Sequence, residues 1–416
     1  MYAESRSSLV DAAPAQSVRQ VFTRFWPLTR PFRLRLAVCL LFVGVGPTMD
    51  AVGIWIFKIL VDDVLTPRDF SLFPLVAANG YRVTLVGLAD NIKSDTFKGV
   101  QLMKAPRSRI LKTDKLLYYV AAIFMALRLR PHIVHFQGLG SALFLWAYKL
   151  MGAKTVVRYG SADYLVGKWG TLGKLGFLLS EYQLRFADAV ISVTPALADR
   201  LARRGIKHNV HVIANAADPL PANADAEIPA DDYILSVGRV TAQKNVANLV
   251  RGHEIFARGE TNAPKLVVAG GLDETDYVAG LQPLLTERVV LAGKFARSAM
   301  GPLYRSCKVY INASLHEGSS NAVLEAIAAG CPILLSDIPE NRDFGLPSDN
   351  YFDPDSPDAI AGALKRALDD PSAFVVDPRQ YLTWNAVAER TLDIYRRIAP
   401  FKGSKIERVD TLVSAS

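Results

Sequence analysis

The chain holds 416 residues, 50% hydrophobic and 21% charged, with 28 glycines and 23 prolines. That balance excludes disordered and fibrous classes and supplies apolar mass for two α/β domains. The net charge of +8, denser in the first half, fits either a solvated basic surface or an attraction to anionic lipid headgroups and phosphorylated substrates.

Residues 1–30 are a polar mixture, followed by an apolar run from Leu36 to Leu60 behind Arg30, Arg33 and Arg35. The run holds Pro47, Asp50 and Lys58, which make a simple bilayer span costly. The run reads as either an in-plane or paired hydrophobic element on the cytoplasmic leaflet or a relic, and no small-residue signal-peptide cleavage site clearly follows it. Cys39, Cys307 and Cys331 lie far apart in apolar sequence, and no histidines sit at metal-ligand spacing. Neither a disulfide framework nor a metal site is expected.

From Gly80 the texture changes to short β-branched runs alternating with amphipathic helices, the pattern of parallel-sheet α/β units. Strands are predicted at 82–88, 132–136 (which carries His132 and His135), 154–160, 189–194 and 210–215, with helices over Leu116–Arg130, Leu172–Phe186 and Ala196–Arg204. Residues 215–232, rich in Pro, Ala and Asp, read as a linker. Alternation then restarts with strands at 233–240, 265–271, 289–295, 308–314 and 331–337. An amphipathic helix over Trp384–Ile398 suits packing across a domain junction, and the tail beyond Lys405 is expected to fray. The expected organisation is an extension at 1–79, a first doubly wound domain at 80–218, a second at 219–383, a crossover helix at 384–400 and a tail at 401–416.

Two segments carry candidate chemistry. In Asn312–Asp337 a buried strand ends at a loop holding Glu317, a small-residue turn Gly318-Ser319-Ser320 follows, and a helix begins near Asn321 with Glu325 in an early turn. Free N–H groups and the positive dipole end at such a helix start suit a diphosphate. One carboxylate could then meet a sugar and the other a ribose, or the two are an acidic loop residue and a dipole-favoured helix residue. In Ser236–Asn245 a strand runs into Gly238-Arg239, with Lys244 five residues beyond Arg239. Two cations there could neutralise a diphosphate leaving group, or belong to an ordinary surface turn.

Together and in this order, these motifs resemble glycosyltransferase family 4, retaining enzymes of the GT-B fold: Gly238-Arg239, Lys244, then Glu317 and Glu325 with seven residues between, followed by Gly330-Cys331-Pro332. The resemblance implies two Rossmann-like domains facing across a cleft and transfer of a sugar from a nucleotide-diphosphate sugar to a saccharide or lipid-linked acceptor. It implies that Arg239 and Lys244 bind the diphosphate, Glu325 the ribose and Glu317 the transferred sugar. Lys294 and Phe295 would line the base pocket, with the backbone of Ser319, Ser320, Asn321 and Ala322 beside Gly318 on the phosphates. It implies no metal or other cofactor, and no nucleic-acid partner is expected.

The first half departs from the family. No opening strand or glycine-rich loop precedes Tyr81; the extension there resembles the first transmembrane helix of an ABC exporter half. This leaves a nucleotide-binding remnant as the alternative to an active transferase. A Tyr159-Gly160 pair stands where the family often has His-Gly, either an acceptor-side hydrogen bond or a strand-end tyrosine. Glu181 and Arg185 read as helix-surface ions. Since nucleotide sugars are cytosolic, the catalytic half is expected in the cytoplasm or at the inner face of the membrane.

Overall fold

The structure is a computed structural model of the chain, described here for residues 72–88, 94–105, 114–161, 171–216, 218, 220, 232–400 and 410–414. All of them belong to one compact unit. The apolar run 36–60, the exporter-like stretch, Cys39 and most of the 215–232 segment lie outside the described residues.

The first half comprises α1 (Leu72–Ala78), β1 (Arg82–Leu88), β2 (Thr96–Phe97), β3 (Val100–Ala105), α2 (Asp114–Leu129), β4 (Ile133–Phe136), α3 (Leu145–Leu150), β5 (Lys154–Tyr159), α4 (Thr171–Gln183), β6 (Ala189–Ser192), α5 (Pro195–Arg203) and β7 (Val210–Val212). The second half comprises β8 (Tyr233–Val237), α6 (Val246–Arg258), β9 (Lys265–Ala269), α7 (Thr275–Leu281), β10 (Val289–Gly293), α8 (Arg297–Arg305), β11 (Val309–Asn312), α9 (Asn321–Ala328), β12 (Ile333–Ser336), α10 (Pro339–Arg342), β13 (Tyr351–Phe352), α11 (Pro357–Asp369), α12 (Trp384–Ile398) and β14 (Asp410–Ser414). The predicted strands are all present, most of them shorter at their carboxyl ends, where the chain leaves the sheet into loops. Strands β4, β6, β11 and β12 are buried at every position, as a parallel sheet covered on both faces requires.

The second sheet runs β10-β9-β8-β11-β12-β13, parallel throughout. Its order reverses between β8 and β11, and the crevice outside the carboxyl ends of such neighbours is where open α/β sheets take ligands. One apolar cluster, with Leu249 and Ile360, covers one face, and a second, with Tyr304 and Ile327, the other. Helix α11 begins with the Ser356 hydroxyl accepting from Ala359 N at 3.2 Å and Pro357 in its first turn.

The first sheet runs β2-β3-β1-β14-β4-β5-β6-β7 and is parallel except for the β2–β3 pair. Its reversal point is filled from the far end of the chain: β14 pairs with β1 in the register Thr411↔Val83 and with β4 in the register Thr411↔Ile133. The segment expected to fray thus supplies a central strand, and the first sheet is continuous despite the lack of a strand before β1 in the predicted elements. Helix α12 buries Val387, Ala388, Leu392 and Tyr395 in one cluster with Leu72, Phe73 and Val76 of α1 and Ile133 of β4. It therefore runs from the second half back onto the first.

Candidate functional site

The two sequence motifs meet at the reversal point of the second sheet. Gly238 follows β8, and a 3₁₀ turn over Ala242–Lys244 leads to Asn245, held at φ 55° by its side-chain bond to Pro354 O at 2.7 Å. Beyond β11 the chain passes through Ser314 to Glu317. The loops are fastened by Leu315 N donating to Gln243 O at 2.9 Å and by Gln243 Nε2 donating to His316 O at 2.9 Å. Gly270 also belongs here, because a Cβ at this position would overlap the Gly238 carbonyl oxygen. Gly270 N donates to Gly293 O at 2.8 Å, so the carboxyl ends of β8, β9 and β10 are drawn together.

At the centre Lys244 Nζ donates to Glu317 Oε1 at 2.6 Å. The same oxygen accepts from Ser314 Oγ at 2.7 Å and Asn312 Nδ2 at 3.0 Å. Burial by itself would raise the Glu317 carboxyl, whose side chain is only 8% exposed; the Lys244 ammonium and the three hydrogen bonds outweigh it and hold the group below its ordinary value. The site therefore keeps an ionised carboxylate and an ammonium in contact. Arg239 directly follows Gly238, is partly buried and belongs to the loop that carries Lys244.

Helix α9 starts at Ser320, whose side chain makes no capping bond, unlike Thr194, Ser356 and Thr383 at the starts of α5, α11 and α12. The buried Asn321 Oδ1 accepts no hydrogen bond in the structure. Together they leave a helix start with polar capacity unused by the protein. Gly318 to Ser320 form the turn into this helix, and Asn321 and Ala322 are its first residues. Glu325 sits one turn in, buried, its carboxylate bound by Arg297 Nη1 at 2.9 Å and Tyr304 OH at 3.0 Å. Lys294 makes an exposed ion pair with Asp273 at 3.0 Å, and the Phe295 ring packs at the margin of the second-half core.

The first half touches this loop directly. A Cβ on Gly318 would overlap the Gly160 carbonyl oxygen, so the two glycines bring the halves into backbone contact. Asn215 Nδ2 donates to Ser319 O at 3.0 Å, while Asn215 Oδ1 accepts from Arg158 Nη2. Tyr159 is fully buried and presents no surface to an acceptor; its strand-end reading is the one the geometry matches, while Gly160 lies at the contact. Glu181 is not a surface ion: it is 1% exposed and lies 3.3 Å from Arg204 Nε, whereas Arg185 is exposed and stacks on Tyr182. Cys307 and Cys331, far apart in sequence, are buried neighbours with their sulfurs 3.7 Å apart, both free.

Sequence reasoning missed Asn312, Ser314, Gln243, Arg297, Tyr304, Arg158 and Asn215. Asn312 and Ser314 stood inside the quoted motif, and a polar pair ending a buried strand was the signal. Gln243 stood inside the other quoted segment, directly before Lys244, while Arg297, Tyr304, Arg158 and Asn215 come from separate elements and carried no local signal.

Two family models match the chain: Glycosyltransferase Family 4 over residues 74–219 and Glycosyl transferases group 1 over residues 231–370. The chain thus carries the paired domains of a GT-B glycosyltransferase, one in each half. It is 30% identical over 177 residues to an uncharacterized glycosyltransferase of Methanocaldococcus jannaschii, covering 40% of this chain and 45% of the relative. It is 27% identical over 256 residues to the alpha-maltose-1-phosphate synthase of Mycolicibacterium smegmatis, covering 51% of this chain and 64% of that one. A Campylobacter jejuni N-acetylgalactosaminyltransferase named for a diphospho-undecaprenol-linked acceptor matches at 29% over 148 residues, 34% of this chain and 38% of its own. These matches span less than two thirds of each relative. Among solved structures, the sucrose-phosphate synthase of Thermosynechococcus elongatus superposes with a TM-score of 0.66 at 19% identity, over 79% of this chain and 91% of that one, a likeness of fold.

Proposed function

We propose that the protein transfers a hexosyl unit from a nucleoside-diphosphate sugar to a saccharide or lipid-linked acceptor, in the synthesis of a cell-surface polysaccharide or glycolipid. The observation that carries this reading is the Lys244–Glu317 contact, on the loop that also holds Arg239, together with the uncapped start of α9, at the reversal point of a doubly wound sheet. As the glycosidic bond to the donor breaks, negative charge grows on the departing diphosphate. In this reading Arg239, Lys244 and the first N–H groups of α9 stabilise that charge without a metal. Glu317, kept ionised, acts in the same reading on the oxocarbenium-like sugar. Retention of configuration by front-side attack belongs to this reading, as does a cytoplasmic setting at the membrane face. The name of the Campylobacter relative supports a lipid-linked acceptor.

The binding-only alternative rested on a first domain short of a strand, and β14 fills the centre of that sheet. The test is calorimetric titration of the full chain with UDP, GDP and ADP, alongside Arg239→Ala and Glu325→Ala. One nucleotide should bind, and Arg239→Ala should weaken it. Equal binding in the wild type and Arg239→Ala would remove Arg239 from the site, and no binding by any nucleotide would end the reading.

A further inference from the structure

Helix α4 has its amphipathicity reversed. Leu175, Leu178, Leu179, Tyr182 and, just beyond it, Phe186 recur at helical spacing and are all exposed, from 38% to 55%. On the opposite side Ser180 and Glu181 are buried, with Glu181 against Arg200 and Arg204. A helix whose outer face meets only water shows the reverse distribution.

The apolar surface continues onto α3. Gln183 donates through Nε2 to Leu143 O at 2.6 Å, and its Oε1 accepts from Trp146 N at 3.3 Å. This sets the 56%-exposed Trp146 beside α4, with the 80%-exposed Leu150 one turn further on. A recess of about 1180 Å³ adjoins this end, lined by Leu127, Tyr148 and Met151 together with Arg82, Arg130 and Lys154, and no acidic residue is among its described lining.

The charge pattern fixes the kind of partner. Lys174, Arg185, Arg128 and Arg130 are exposed around the patch, and Glu181 is the one acid among residues 118–130, 145–150 and 174–186. A second copy of this surface would set cations against cations, and the apolar run 36–60 arrives behind three arginines of its own. A broad apolar face rich in Trp, Tyr and Phe and flanked by cations matches a bilayer surface with anionic headgroups, where aromatic rings sit at headgroup level.

We propose that α3 and α4 form a docking face for an anionic membrane surface, distinct from the 36–60 run. It rests on the transferase reading for its purpose, presenting the site to an acceptor held in the bilayer, and on the surface itself for the rest.

The experiment is co-sedimentation of the full chain with phosphatidylcholine vesicles, with or without phosphatidylglycerol, comparing the wild type with a Leu179→Glu, Phe186→Glu double variant. Both positions are exposed, and thermal unfolding and size-exclusion elution check the variant's fold. The wild type should bind the anionic vesicles, more weakly as salt rises, and the double variant should bind about tenfold or more weakly. Bromolipid quenching of tryptophan fluorescence should diminish in Trp146→Phe. Undiminished binding by the double variant would overturn the proposal and assign membrane attachment to other residues. So would failure of the wild type to bind either vesicle, or a wild-type dimer that the substitutions turn into a monomer. Nucleotide titration of the same samples separates the two readings: vesicle binding without nucleotide binding would sink the donor-site reading and leave the docking face standing.

Discussion

Lys244 Nζ and Glu317 Oε1 lie 2.6 Å apart, joining the loop after β8 to the loop after β11. Replacing Lys244 by Ala leaves a carboxylate that is 8% exposed with neutral donors only. The expected loss is about 2 kcal/mol in urea unfolding at pH 7. Because the Glu317 pKa is depressed below 4.5 in the folded protein, the stability from its ionised form is complete above that value and is lost as pH falls through the lower folded value. The gap between wild type and variant should therefore narrow on acidification. A gap that stays constant would show that the pair contributes nothing electrostatic.

Gly318 faces the Gly160 carbonyl oxygen with no room for a methyl group. Gly318→Ala should part the two halves at this contact and lower transfer by at least about tenfold, while the unfolding midpoint shifts little. Gly280, with nothing within 4 Å of a Cβ, is the control, and Gly280→Ala should leave transfer unchanged. Equal activity in Gly318→Ala would show that the halves stand apart in the working enzyme.

His135 is fully buried in β4, with Nδ1 2.5 Å from the Tyr395 hydroxyl of α12. Burial, then the nearby Arg158 cation, lowers its pKa from 6.5 to about 3. The unfolded chain takes up a proton below pH 6.5 that the folded one refuses. Stability should thus fall on acidification between these two values, by up to about 1.4 kcal/mol per pH unit from this group. His135→Gln should flatten that slope in denaturant titrations at a series of pH values, and an unchanged slope would acquit the histidine.

Strand β14 is the middle of the first sheet, bonded on both sides. Truncation after residue 409 should leave β1 and β4 without their common partner. Amide exchange at 83–86 and 133–136 is expected to speed up together, with loss of the first half's cooperative unfolding. Continued protection of both segments in the truncated chain would show that the sheet closes without β14.

The elements that sequence exposed best were those with local periodicity. The strands β1, β5 and β8 to β12 and the helix α12 were legible because apolar residues recur at a fixed period within one segment. Strand β14 was not, since five residues of mixed polarity become a central strand only through partners over two hundred residues away in the chain. The same limit applied to the site. Gly238, Lys244, Glu317 and the α9 start share two motifs and were readable, but Arg297 and Tyr304 reach Glu325 from α8, and Asn215 reaches Ser319 from the other half. Glu181 misled because its helix turns its apolar face outward.

The most direct test of the proposed transferase is release of nucleoside diphosphate by the purified full chain from a panel of UDP-, GDP- and ADP-sugars, measured for the wild type, Glu317→Gln and Arg239→Ala. The expected result is steady turnover of one nucleotide class by the wild type, reduced about a hundredfold or more in each variant. Release from no donor, or release that both substitutions leave intact, would contradict a transfer site built on these two loops.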